Sequence, residues 1–305
     1  MYKTNFDFVV EKARALKEKQ KPIRVAIADA DAENILLGAF QAEAEGFAEL
    51  TLLGDGKKID KTLKDLSLVQ RKYTVVDVPE DQSSAQAAID LVKAGKADVL
   101  MRGSIQTRDF LLPILDKSNN LLRPDRLLTH VNLMKLPDYP RILALSDVTI
   151  LPNPDRNQRK QIARNMAELF IKLGYEKPNI ALLALAEKPL FRVPGTAEAE
   201  TIVKEHAENP IANCNLVGPI AYDLIISKEA ARLKHYDCPY CGEFDGIVAP
   251  NLLTGNVLDK ALEIHGRASS VGVIVGAKIP IAITSRSDPR EKAYLSLAVC
   301  AALPE

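Results

Sequence analysis

The sequence predicts an α/β fold built on mostly parallel sheets. Three observations carry this. Short strand-like runs alternate with amphipathic helical stretches from end to end. The strand-like runs are nearly continuously apolar, as strands covered on both faces are. No low-complexity linker or internal repeat interrupts the 305 residues. That length suits two domains, so the second must be inserted or closely packed.

The elements follow in order. Residues 8–19 read as an amphipathic helix and IRVAIAD (23–29) as a strand. Residues 32–46 read as a helix stopped at Gly46. Strands are expected at 49–55, 73–79 and 97–103, and helices near 60–71, 82–94 and 107–116. LLTHVNLMKLP (127–137) and RILALSDVTIL (141–151) are joined by Asp138-Tyr139-Pro140, which predicts an antiparallel hairpin. A long helix over 155–173 is capped by Asn153 or Asp155 and closed by Gly174. Strands at 179–185, 215–218, 244–250 and 271–276 then alternate with helices at 196–207, 219–233 and 255–265. The strand IPIAITS (279–285) and a helix over about 288–302 complete the chain.

Bulk composition excludes several classes. Lys plus Arg equals Asp plus Glu, 40 each, so no basic excess points to nucleic acid. Zero net charge gives little protection against self-association. The N-terminal stretch is charged and lacks the apolar segment of a secretory signal, and no run is long enough for a membrane span. The expectation is a soluble, cytoplasmic protein. Four cysteines include a CxxC at Cys238 and Cys241, with Cys214 and His235 nearby. A zinc ribbon needs a second such pair, so a turn with incidental cysteines is the expected reading and no metal is implied. His130 is the one histidine of interest. There is no P-loop, no GxGxxG after a strand, no GxSxG and no HExxH.

Three strand ends share small and hydroxyl residues: Arg102-Gly103-Ser104, then Asn251 with Thr254-Gly255-Asn256, then Ser285-Arg286. Ligands of open α/β sheets bind beyond the carboxyl ends of strands. Free backbone amides and helix N-termini there favour an anion, and arginine's planar fork suits phosphate.

GIVAPNLLTGNVLDKAL, SSVGVIVGAKIPIAITSRSDPREKAYLSLAV, ADVLMRGSIQTRDFLLPIL, LLTHVNLMKLP, LSDVTILPNPDRNQRKQIARNMAE and VGPIAYDLIIS together resemble the phosphate acetyl/butyryltransferase family. The spelling VGAKIPIAITSRSD looks closer to the butyryl branch. The resemblance implies reversible transfer of a short acyl group between CoA and inorganic phosphate, with butyryl favoured and acetyl as the alternative. It implies acyl-CoA, phosphate and acyl phosphate as substrates, no tightly bound cofactor and a homo-oligomer. It also implies a fold like isocitrate and isopropylmalate dehydrogenases: two α/β/α domains facing a cleft, 1–130 plus 272–305 and, inserted, 131–271. A dehydrogenase would need a carboxylate cluster for a metal, and the sequence shows none. A CoA-sensing module without turnover is the remaining alternative.

By the same resemblance, Ser285 and Arg286 are the expected catalytic residues. Gly103, Ser104, Thr129, Asn251, Gly255 and Asn256 are expected to line the phosphate pocket, with Lys260 and Lys278 as charge partners. The chain departs from the family twice. Lys292 stands where the acetyl branch carries an Asp assigned as the base for CoA's thiol. Asp288 is then the nearer acid, as a base, a CoA contact or a helix cap, and Lys292 itself is expected to lower the thiol's pKa by its charge or to attract CoA phosphates. Leu112 stands where relatives often carry an Arg, whose contact Arg102 or Arg108 would have to supply.

Overall fold

The computed structural model describes residues 3–17, 22–285 and 288–303. The chain divides into two compact units. One comprises residues 7–126 and 271–305, the other residues 1–6 and 127–270.

The first unit contains α1 (Asp7–Lys17), β1 (Ile23–Ala28), α2 (Glu33–Ala44), β2 (Ala48–Gly54), α3 (Gly56–Asp65), β3 (Thr74–Asp77), α4 (Ser84–Lys93), β4 (Val99–Arg102) and α5 (Thr107–Leu115). The chain returns to it for β10 (Ser269–Val275), β11 (Ile281–Ala282) and α11 (Arg290–Ala302). Strand order is β3-β2-β1-β4-β11-β10. All pairings are parallel except β10 with β11. The chain steps outward from β1 to β2 and back from β3 to β4. Right-handed crossovers therefore place α2 and α4 on opposite faces. Both faces being covered, the strands are apolar throughout: Val25 to Ala28 and Val99 to Met101 are fully buried.

The second unit contains β5 (Thr129–Lys135), β6 (Ile142–Ser146), α6 (Arg156–Lys172), β7 (Asn179–Leu183), α7 (Pro194–Glu208), β8 (Asn215–Ile220), α8 (Tyr222–Ile226), α9 (Lys228–Leu233), β9 (Gly246–Val248) and α10 (Leu252–Ile264). Its order is β5-β6-β9-β7-β8. The expected hairpin is present as the antiparallel β5–β6 pair, and the other pairings are parallel. Leu143, Leu145, Ala181, Leu183, Ile247 and Phe244 form one side of its core. Ile162, Met166 and Phe170 of α6 form part of the other.

Several boundaries differ from expectation, each for a local reason. Asp55 caps the amides of Lys57 and Lys58, so α3 begins four residues early. Ser227 is extended and caps Ala230, which breaks the expected 219–233 helix into α8 and α9. Asn251 caps Thr254, so α10 begins before Gly255 and not at it. The last strand keeps only two ladder residues, Ile281 and Ala282. The expected cap at Asp155 is present as a capping box with Gln158. Residues 18–19 of the first expected helix lie outside the described residues.

Candidate active site

In the first unit the carboxyl ends of β1, β4 and β11 lie level. Ala28 is opposite Arg102, and Met101 is opposite Ala282. Gly103-Ser104 follows β4 and Ser285 follows β11, two neighbouring parallel strands whose ladder ends at Met101 and Ala282. Two of the expected strand-end motifs are therefore neighbours.

The Gly103-Ser104 turn is made differently from expectation. Its amides are not open to an anion: Gly103 N–H donates to the Ala28 carbonyl and Ser104 N–H to that of Asp29, both at 2.8 Å. The hydrogen bonding between β1 and β4 simply runs past the strand ends. Gly103 is required there, because a Cβ would lie 2.1 Å from the Asp29 carbonyl oxygen. Ser104 contributes its hydroxyl, which donates to Asp31 Oδ1.

Arg102 is buried, and its side chain bridges two elements. Nη1 donates to Thr107 Oγ1 at the start of α5, and Nη2 donates to the Thr284 carbonyl. One residue later, Ser285 N–H donates to Asp288 Oδ2 at 2.6 Å. Asp288 is thus not the cap of α11, whose N-cap is Pro289 without a side-chain bond. Its carboxylate turns back to the Ser285 amide and pairs with Lys292 Nζ at 3.1 Å. The Asp288 carbonyl accepts from Asn34 Nδ2 at 2.6 Å, which anchors this turn to α2. Arg286 lies outside the described residues.

Lys278 does not join this group. It precedes β11, while Ser285 follows it, on the order of 20 Å of extended chain away. Its ammonium donates to Asn120 Oδ1. Leu112 and Arg108 are exposed on α5.

The second unit has its own strand-end cluster, where β6 and β9 finish side by side. Asn251 accepts from Thr254 N–H at 2.9 Å and so caps α10. Gly255 lies one turn on, its Cβ position 2.2 Å from the Asp147 carbonyl oxygen, so only glycine lets α10 approach β6 this closely. The exposed Asn256 donates to the Val148 carbonyl at 3.2 Å. These three expected residues are brought together. Thr129 is fully buried, its hydroxyl accepting from Asn165 Nδ2. Lys260 also departs from expectation. It lies nine residues beyond the cap, about 13 Å along the helix, and pairs with Glu263 at 2.6 Å and with Asp259.

Asp147 was not singled out from the sequence. It is 2% exposed, and its Oδ1 accepts from the amides of Thr149 (2.6 Å) and Ile150 (2.9 Å). Burial pushes its carboxyl up to about 6, against the opposing pull of those amides. His130 Nδ1 meets Thr149 Oγ1 at 2.7 Å, so the histidine braces the same turn. The only available signal was an Asp at the end of an apolar strand, LSDVT.

All four cysteines are free thiols. Burial pushes Cys241 up to about 12, with the neighbouring Cys238 adding to it, and Cys214 up to about 11. Neither is poised as a thiolate. No group of three potential metal ligands, and no helix long and apolar enough to cross a membrane, occurs among the described residues.

The family described as Phosphate acetyl/butaryl transferase matches residues 82–301. The chain is 30% identical over 293 residues to the phosphate acetyltransferase of Thermotoga maritima, covering 96% of this chain and 97% of that protein. It is also 30% identical over 297 residues to the phosphate butyryltransferase of Clostridium acetobutylicum, covering 97% of each. Its fold matches the crystal structure of a branched-chain phosphotransacylase from Enterococcus faecalis V583 with a TM-score of 0.81. That match has 29% identity and covers 92% of this chain and 98% of the other. The chain belongs to the phosphate acetyl/butyryltransferase family and is an enzyme, a phosphate acyltransferase.

Proposed function

We propose that the enzyme moves a short acyl group between CoA and inorganic phosphate, with butyryl favoured, and that Ser285 and Arg286 carry the step. The observation that supports this most is the neighbourhood of Ser285. Its hydroxyl belongs to a turn held by Arg102 and Asp288, where the end of β11 leads into α11. Phosphate attacks the thioester carbonyl, the C–S bond breaks and CoA leaves as a thiolate. The proton of hydrogen phosphate ends on that sulfur, so the overall reaction needs no proton from solvent.

The barrier lies in positioning a dianion against the carbonyl and in stabilising the tetrahedral oxyanion. In this reading Arg286 holds phosphate and the Ser285 hydroxyl serves the reacting or leaving oxygen. Ser104, on the Gly103 turn, contributes a second hydroxyl. Asn251, Gly255 and Asn256 shape the other strand end. Asp288 and Lys292 act as a pair that sets the Ser285 turn, with Asp288 the acid available to CoA's thiol. Action as a homo-oligomer in the cytoplasm, with CoA as a substrate and not a resident cofactor, completes the proposal.

Equal identity to an acetyl- and a butyryltransferase leaves the acyl group to experiment. Thiol release from acetyl-, propionyl-, butyryl- and branched acyl-CoAs, with and without phosphate, tests it. Phosphate-dependent release fastest with butyryl-CoA is expected. Faster release with acetyl-CoA would replace the butyryl assignment.

A further inference from the structure

We propose that Arg102 is a positioning residue for acyl transfer: it fixes the peptide plane that carries Ser285, and does not itself bind phosphate. This rests on the reading of Ser285 given above. The Thr284 carbonyl and the Ser285 N–H are the two polar groups of one peptide unit. Arg102 Nη2 grips the oxygen, and Asp288 Oδ2 grips the nitrogen at 2.6 Å. In a trans peptide these groups point in opposite directions. The unit is therefore held from both sides, like an axle between two bearings.

Each bearing is itself fixed. Arg102 is 6% exposed and its Nη1 is tied to Thr107 Oγ1 at the start of α5. Asp288 is tied to Lys292 on α11 and, through its carbonyl, to Asn34 on α2. The clamp is needed because the ladder ends early. β11 has only two ladder residues, and beyond them Ile283 N–H reaches Gly272 only at 3.5 Å. Without Arg102, Ser285 would follow a strand that no longer dictates its orientation. Arginine suits the task, since its rigid planar fork holds two N–H groups on separate nitrogens at a fixed separation, whereas an ammonium's donors share one nitrogen.

The test measures kcat and KM for phosphate-dependent thiol release in Arg102→Ala, Arg102→Lys and Thr107→Val, with Ser285→Ala in parallel. Misplacing a reacting group by about 1 Å costs about 100-fold. Arg102→Ala is thus expected to lose about that much kcat while KM for phosphate stays within about threefold. Arg102→Lys should recover only a minor part. Millimolar guanidinium should restore activity to Arg102→Ala and not to Ser285→Ala. Thr107→Val, which leaves the arginine in place, should lower kcat more mildly without touching KM.

A folded Arg102→Ala with unchanged kcat overturns the proposal, as does a raised KM for phosphate at unchanged kcat, which would make Arg102 a substrate contact. If Arg102→Ala does not fold, unchanged kcat in Thr107→Val overturns it. Wild-type activity in Ser285→Ala would instead remove the reading of Ser285. A slow Ser285→Ala beside an unaffected Arg102→Ala removes the clamp alone.

Discussion

The ammonium of Lys292 stands 3.1 Å from the Asp288 carboxylate, with the two side chains only 9% and 11% exposed. The same carboxylate oxygen accepts from Ser285 N–H. The cation at position 292 therefore partners an acid one turn earlier on the same turn-and-helix segment.

Removing one member of a buried pair leaves the other uncompensated. Lys292→Met is expected to lower unfolding free energy by about 3–5 kcal/mol, measured by urea denaturation. Lys292→Asp should do no better, since it sets a second carboxylate against Asp288. A rise in activity in Lys292→Asp would show that an acid at this position serves the reaction better than the cation.

Asp147 predicts a pH dependence of stability. Its carboxyl, raised to about 6 by burial, favours the protonated form in the fold. The resulting cost is absent below the unfolded value near 4, grows as pH rises, and is complete above about 6. At neutral pH it amounts to about 3 kcal/mol. Asp147→Asn keeps an oxygen for the Thr149 and Ile150 amides and removes the charge. Its stability relative to wild type should therefore rise between pH 4 and 7. A difference flat across that range would contradict the assignment.

Gly103→Ala should be costly although it adds one methyl group. The new Cβ would meet two backbone carbonyls, of Ala28 at 2.6 Å and Asp29 at 2.1 Å, and neither can move without parting β4 from β1. A loss of about 3 kcal/mol or more is expected, read as a fall in Tm.

Lys278→Ala and Lys260→Ala are expected to leave kcat and KM nearly unchanged, within about twofold, as surface substitutions do. Steady-state assays decide this. A large rise in KM for either substrate in Lys278→Ala would contradict its placement at the far end of β11.

Much of the fold could be read from the sequence because buried parallel strands must be apolar along their whole length. The boundaries that moved did so at Asp55, Ser227 and Asn251, where a side chain competes for a helix's first amides; which hydroxyl or carboxylate captures an amide depends on three-dimensional approach. That Ser104 and Ser285 follow neighbouring strands could be foreseen, because strand ends in a parallel sheet gather on one edge. The pairing of Lys260 with Glu263 and of Lys278 with Asn120 could not be read, because a motif's spacing does not say which neighbour a lysine faces. Asp147 stayed hidden because a buried Asp and a turn Asp are spelled alike. The axle at Thr284–Ser285 could not be foreseen, since one of its bearings is an arginine 182 residues away.

The most direct test of the account is the rate of phosphate-dependent thiol release from butyryl-CoA by wild type and by Ser285→Ala, measured at saturating substrates. The account predicts phosphate-dependent turnover by the wild type and a kcat at least about 100-fold lower in the variant, with the fold intact. A Ser285→Ala enzyme that turns over as fast as wild type would contradict it and move the reacting group elsewhere.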